Sequence, residues 1–266
     1  MKARLIILFT FLILMQTSVF SQSSNEISIG KKIQIDSEIY GKSRELFIRL
    51  PSNYNDSVKN YPVLYLLFPH ASFFRARSAV GYLEGDNGIP EMMIVGICND
   101  DGRGEILPFK IQGMPNSGGG NKFLSFIKKE VIPFVETNYR TDTLRILAGF
   151  SNSAMFANYL MVKDPGLFSS YILSSPMIAW GNDFVLKKTA KFFERTKSFD
   201  KTLYIIYGEN DYDWVVDPMP DFETLLKEKA PDKLKWKIDV LKNEGHVPYI
   251  DVYNGIVFTF EKLNEK

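Results

Sequence analysis

Leu144-Arg145-Ile146-Leu147-Ala148-Gly149-Phe150-Ser151-Asn152-Ser153-Ala154-Met155 is the stretch that decides the fold of this chain. An apolar run ends in a glycine, a serine follows two residues later, and small residues lead into a helical segment. The pattern is that of a short buried strand, a tight turn centred on Ser151 and the first turn of a helix. Such a turn lifts the serine Oγ above the end of a sheet. It also aims the following helix N-terminus at negative charge that develops beside it. Gly149 and Ser153 occupy the two glycine positions of the G-x-S-x-G pattern, so Ser153 is a small departure from it.

The chain contains 2 histidines, His70 and His246. His246 lies in Asn243-Glu244-Gly245-His246-Val247-Pro248, just after the alternating strand Leu234 to Leu241. Between Ser151 and His246 comes a further apolar strand, Leu203-Tyr204-Ile205-Ile206-Tyr207-Gly208, which runs on into Glu209-Asn210-Asp211. A serine, an acid and a histidine therefore occur in that chain order, each just past the carboxyl end of an expected strand, where sheet ligands and catalytic groups collect. An acid at Asp211 can orient the imidazole and stabilise the imidazolium. Read without chemistry, Asp211 is a turn former and His246 a loop residue.

At 266 residues, with 45% hydrophobic and 24% charged residues, the chain suits one α/β domain with a full core. The net charge of +1 gives no sign of a nucleic-acid partner. Lys2 and Arg4 precede an apolar run from Leu5 to Met15, broken only by Thr10. With the more polar segment to Ser21, this reads as a signal peptide over 1–21, cleaved after Ser21. The expectation is a secreted or periplasmic chain of residues 22–266 with no membrane span. The runner-up is an uncleaved anchor, for which the apolar run is short. The single cysteine, Cys98, cannot form an internal disulfide and reads as a small buried residue. No His/Cys spacing along the chain suggests a zinc site, and no metal or other cofactor is expected.

The remaining elements alternate. Glu26 to Ile35 and Glu45 to Leu50 read as an antiparallel strand pair. Pro62 to Phe68 and Met92 to Cys98 are fully apolar, as in the middle of a covered sheet. Ala71 to Gly88 reads as helix and loop, and Asp100 to Gly120 as a long surface loop. Asn121 to Asn138 is an amphipathic helix that Pro133 should kink or break. Helices are also expected over 153–163, 182–196, 221–229 and 252–262, and a strand over 168–173. The fold class is α/β, a mostly parallel central sheet with helices on both faces and an N-terminal antiparallel pair.

Several motifs carry a family resemblance: Arg49-Leu50-Pro51 with Tyr54; Tyr61-Pro62-Val63-Leu64-Tyr65-Leu66-Leu67; Ile89-Pro90-Glu91-Met92 leading into Val95-Gly96-Ile97; Ile132-Pro133-Phe134; Asn138-Tyr139-Arg140-Thr141; the Ser151 turn; and Gly245-His246. In these the chain resembles the Putative esterase family of α/β-hydrolases, which includes esterase D-like and enterochelin-esterase-like proteins, over nearly all of residues 22–266. The resemblance implies a serine esterase that acts on a small-molecule ester through an acyl-enzyme. Ser151 would be the nucleophile, His246 the general base and acid, and Asp211 the orienting acid, with Glu209 and Asp213 as rivals on the same loop. The Asn152 N–H would form one arm of the oxyanion hole. The second arm should follow the central strand, where the family reads Leu-Asp-Gly and this chain reads Phe68-Pro69-His70. Proline has no N–H, so the donor falls to His70 or Ala71, and the His70 ring is a candidate donor to substrate. Acyl transfer to a sugar or alcohol would use the same triad. A catalytically weak ligand-binding protein is the reading from another class. Asp100 to Gly120, Trp180 to Phe184 and Tyr212 to Pro220 are candidates for the cleft rim.

Overall fold

The computed structural model describes residues 28–84 and 88–265, so the expected signal peptide lies outside the described residues. The stretch quoted first forms a strand, β5 (Thr141–Phe150), and a helix, α4 (Asn152–Lys163), with Ser151 alone between them. Before them come β1 (Lys31–Ser37), β2 (Lys42–Arg49), β3 (Tyr61–Leu67), α1 (Pro69–Leu83), β4 (Met93–Ile97), α2 (Gly120–Phe126) and α3 (Ile132–Asn138). After them come β6 (Ser170–Ser174), α5 (Trp180–Arg195), β7 (Thr202–Gly208), α6 (Asp213–Val216), α7 (Met219–Lys229), β8 (Lys235–Leu241) and α8 (Asp251–Asn264).

The strands form one sheet in the order β1-β2-β4-β3-β5-β6-β7-β8. β1 and β2 pair antiparallel, β2 runs antiparallel to β4, and the other neighbours are parallel. The pleat sends successive side chains to opposite faces, and the core divides accordingly. Val63, Tyr65 and Leu67 of β3 join Phe123, Phe156 and Phe222 on one face. Leu64 and Leu66 join Phe73 and Val80 of α1 and Val252 and Ile256 of α8 on the other. Both faces are apolar because both are covered, which is why the central strands read as continuous hydrophobic runs. The edge strands differ: Lys31, Lys32 and Gln34 on β1 and Lys235 and Lys237 on β8 break the apolar run, which discourages pairing with another sheet.

Three expectations change on contact with the fold. Pro133 does not break its helix. A widened i→i+5 turn over Ile127–Val131 precedes it, and the helix continues from α2 into α3. One added residue gives the backbone room for a proline ring that would otherwise press on the preceding turn. The regular part of α5 starts at Phe184, because Gly181, Asn182 and Asp183 are all left-handed, with φ of 72°, 57° and 58°. The segment 100–120 is not simply a surface loop, since Gly104 to Leu107 and Ser117 are buried. Arg44, fully buried on β2, draws that segment in through Glu105 at 2.7 Å, Asp100 at 3.1 Å and Asp101 at 3.6 Å. Its guanidinium also lies 4.1 Å from the Tyr40 ring centre.

Candidate functional site

Ser151 holds a backbone conformation unusual for a residue with a side chain, φ 54° and ψ −121°. Strain of this kind persists only where the surroundings impose it, and short-range contacts do so here. A Cβ at Gly149 would lie 2.5 Å from the Ser153 carbonyl oxygen, so only glycine fits beneath the turn. Ser153 closes the turn from above. Its Oγ accepts from the Phe150 N–H at 2.9 Å and donates to the Phe150 carbonyl at 2.8 Å. The departure from the G-x-S-x-G pattern is therefore a clamp. The Ser151 N–H donates to the Ser174 carbonyl at 2.8 Å, which fixes the turn to the end of β6.

The acid–histidine side is assembled from three strand ends. The Glu209 N–H donates to the Leu241 carbonyl and the Asn210 N–H to the Glu244 carbonyl, both at 2.9 Å. These bonds join the loops that follow β7 and β8. Gly208 permits it, because a Cβ there would lie 2.2 Å from the Glu244 oxygen. Asp211 and His246 then meet, with Nδ1 2.7 Å from Oδ1. The Asp211 side chain is fully buried and the His246 ring only partly so. A carboxylate can only accept, so Nδ1 carries a proton, and in the neutral ring the lone pair is then on Nε2. Asp211 is held twice more, by the Tyr212 N–H at 2.7 Å on Oδ1 and by Ser175 Oγ at 2.5 Å on Oδ2. The Ser175 hydroxyl also accepts from the Val247 N–H at 2.8 Å. One buried hydroxyl thus joins the acid to the residue after the histidine.

The expected residues sort as follows. The fold brings Asp211 and His246 into contact after β7 and β8 and sets Ser151 at the end of β5, across β6, hydrogen-bonded through its N–H to the residue before Ser175. Among the described residues Ser151 Oγ makes no hydrogen bond. Glu209 accepts from the Asn243 N–H at 3.3 Å, and its carboxylate is not the one bonded to the imidazole. Asp213 opens α6 and lines a cavity. Asn152 begins α4, whose first-turn N–H groups have no intrahelical acceptor.

After β3 the chain turns at once into a helix. Phe68 is left-handed, its N–H donates to the Ile97 carbonyl, and Pro69 opens α1. His70 and Ala71 consequently sit in the first turn of α1. The His70 ring lies 3.6 Å from Glu45 and edge-on to Phe47, and it does not line the cavity at Ser151.

Two cavities open here. One, of about 290 Å³, is lined by Phe68, Asn99, Phe150, Ser151 and Asn152. The other, of about 850 Å³, is lined by Met177, Trp180, Asp183, Asp213, Trp214 and Asp217. Arg103 borders both. All three segments expected at the rim contribute to the larger cavity. Tyr212 stacks on Trp214 at 4.4 Å and leans on His246 at 5.0 Å, which carries the aromatic wall up to the imidazole.

Sequence reasoning passed over Ser175, Arg103 and Arg75. Ser175 carried the available signal, since it too follows the carboxyl end of a strand. Arg75 of α1 reaches the Pro248 carbonyl at 3.4 Å and Asp251 at 3.6 Å, steadying the loop that carries His246. Asp251 is buried, and desolvation holds its carboxyl above the usual range even though Arg75 pulls the other way.

Residues 37–234 match the profile of the family described as Putative esterase, a span that includes Ser151 and Asp211 and stops short of His246. A ferri-bacillibactin esterase of Bacillus subtilis is 27% identical over 71% of this chain and 73% of its own. The solved structure of an IroE-like serine hydrolase from Shewanella oneidensis superposes with a TM-score of 0.80 at 26% identity, over 85% of this chain and 78% of that one. A siderophore hydrolase from Aspergillus nidulans gives a TM-score of 0.75 at 17% identity, over 89% of this chain and 97% of that one, a likeness of fold.

Proposed function

The chain belongs to the Putative esterase family and acts on ester bonds, and on that premise we propose that it is a serine esterase working through Ser151, His246 and Asp211. The observation that carries this reading is the 2.7 Å Asp211–His246 pair, set beside a strained serine turn at the same end of the sheet.

His246 Nε2 takes the Ser151 proton while Oγ bonds to the ester carbonyl carbon. The oxyanion rests on the Asn152 N–H at the start of α4 and on a first-turn N–H of α1, from His70 or Ala71. Two helix N-termini then face the developing charge. The tetrahedral intermediate collapses, His246 protonates the departing alcohol, and water released to the same base hydrolyses the acyl-enzyme. Asp211 stays ionised throughout and holds the imidazole in the working tautomer. The missing Ser151 hydrogen bond is compatible with this, because such bonds commonly tighten only when substrate is present.

For the substrate we propose a siderophore ester. The ferri-bacillibactin esterase relative supports this class. So does a roomy second cavity walled by Trp180 and Trp214, with Arg103 placed to meet an anionic oxygen. We further propose that residues 1–21 direct export, which N-terminal sequencing of the chain recovered outside the cytoplasm would check by finding Gln22 first.

The test of the reaction is turnover of p-nitrophenyl butyrate and of ferri-bacillibactin by the wild type and by Ser151→Ala, with fluorophosphonate labelling of both. Turnover and labelling lost together in the variant are expected. Equal turnover in the two proteins would remove Ser151 from the mechanism.

A further inference from the structure

Outside the cavities at Ser151, around the His70 side chain, the fold assembles a second cluster of reactive side chains. Glu45 of β2, His70 of α1 and Cys98 just past β4 bring one ligand atom each to within 4.8 Å of one another. His70 Nε2 is 3.6 Å from Glu45 Oε1, and Cys98 Sγ is 3.8 Å from the same oxygen. The three residues are far apart in sequence and converge only because β4 lies beside β2 and α1 springs from the neighbouring β3. Ligand spacing along the chain could not reveal them.

We propose that Glu45, His70 and Cys98 bind a divalent transition-metal ion of the zinc type, with a fourth position left to water. Zinc bond lengths of about 2.0–2.3 Å put the ligand atoms of a tetrahedral site roughly 3.3–3.6 Å apart, so the two separations from Glu45 need to close by a few tenths of an ångström and that between His70 and Cys98, which lies within 4.8 Å, by at most about 1.5 Å. A thiolate with an imidazole selects borderline and soft cations over magnesium or calcium, which take oxygen ligands. The His70 side chain is 53% exposed while Cys98 is buried, so an ion would enter from the His70 side. The imidazole is held by the edge-on Phe47 ring, 5.1 Å away. Lys32 Nζ, 3.4 Å from Glu45 Oε1, is the resident cation. It is well exposed, and a surface pair of this kind is cheap to displace. On binding, the Cys98 S–H bond breaks, its proton goes to solvent and a sulfur–metal bond forms.

The experiment is a cobalt(II) titration of the chelator-treated protein, free of any histidine tag, followed by displacement with zinc. Because Cys98 is the only cysteine, a thiolate-to-cobalt charge-transfer band can come from no other residue. One equivalent of cobalt should raise that band together with visible bands of tetrahedral intensity, and zinc should erase both. Glu45→Gln and His70→Ala change side chains with solvent exposure and should each weaken cobalt binding by about tenfold or more, while His246→Ala should leave the band intact. A folded wild type without the band would overturn the proposal. So would a band of equal affinity in Glu45→Gln and His70→Ala, or one lost in His246→Ala.

Discussion

The serine turn and the acid–histidine pair lie side by side at one end of the sheet, yet they are built in opposite ways. The turn is local. Gly149, Phe150, Ser151 and Ser153 shape one another within five residues, through a missing Cβ and two hydrogen bonds to Ser153 Oγ. The pair is not local. Asp211 and His246 are brought together by main-chain bonds between the loops after β7 and β8, and by the Ser175 hydroxyl after β6. A local device fails as a unit of stability, whereas an assembled one can lose alignment while the fold stands.

The largest effects should come from the reacting groups. Ser151→Ala and His246→Ala should each lower kcat by about 10⁵-fold or more, with the thermal midpoint almost unchanged. Steady-state kinetics beside a melting curve checks both. The acid assignment comes next. Asp211→Asn should cost on the order of 10³–10⁴ in kcat, because an amide no longer enforces the tautomer. Glu209→Gln, which alters an exposed bond to the Asn243 N–H, should stay within about threefold of wild type. The reverse ranking would transfer the role to Glu209.

The same contrast explains what could be read from sequence. The serine turn was legible because its causes are adjacent residues. The parallel sheet was legible because burial on both faces writes unbroken apolar runs into β3, β4 and β7. Asp211 and His246 could be placed just past strand ends, but their contact depends on strand order. Ser175 left no mark beyond its position, since a serine after a strand is an ordinary turn residue. Arg44 concealed itself differently. A charged residue on β2 reads as solvent-facing, and only the fold shows the acidic partners that let it lie buried and pull residues 100–106 inward. That the helix runs on past Pro133 was hidden for a related reason, as the compensating turn at Ile127–Val131 has no sequence signal of its own.

Two serines sharpen the comparison. Ser175→Ala removes the hydroxyl that holds Asp211 Oδ2 and the Val247 N–H, so it should lower kcat by about 10–100-fold with less effect on KM. Ser153→Ala leaves the Phe150 N–H without its partner and should cost about 1–3 kcal/mol of stability, with kcat close to wild type in the fraction that stays folded. If Ser153→Ala proved the more damaging to kcat and Ser175→Ala the more damaging to stability, the division between a local and an assembled half would be wrong.

The smallest effect concerns the support behind the histidine loop. Burial holds the Asp251 carboxyl above its unfolded value of 3.8, with Arg75 only partly opposing the shift. A folded-state pKa above the unfolded one means that the native chain binds the proton more tightly. This residue's contribution is therefore fully present below the unfolded pKa and is lost as pH rises through the folded one. In Asp251→Asn nothing titrates at this position. Urea unfolding of both proteins at pH values from about 4 to about 8 should show the stability difference moving in favour of the variant as pH rises, then levelling off. A difference that stays flat with pH would mean that Arg75 fully offsets the burial, and the loop bearing His246 would then rest on a balanced ion pair instead of a strained one.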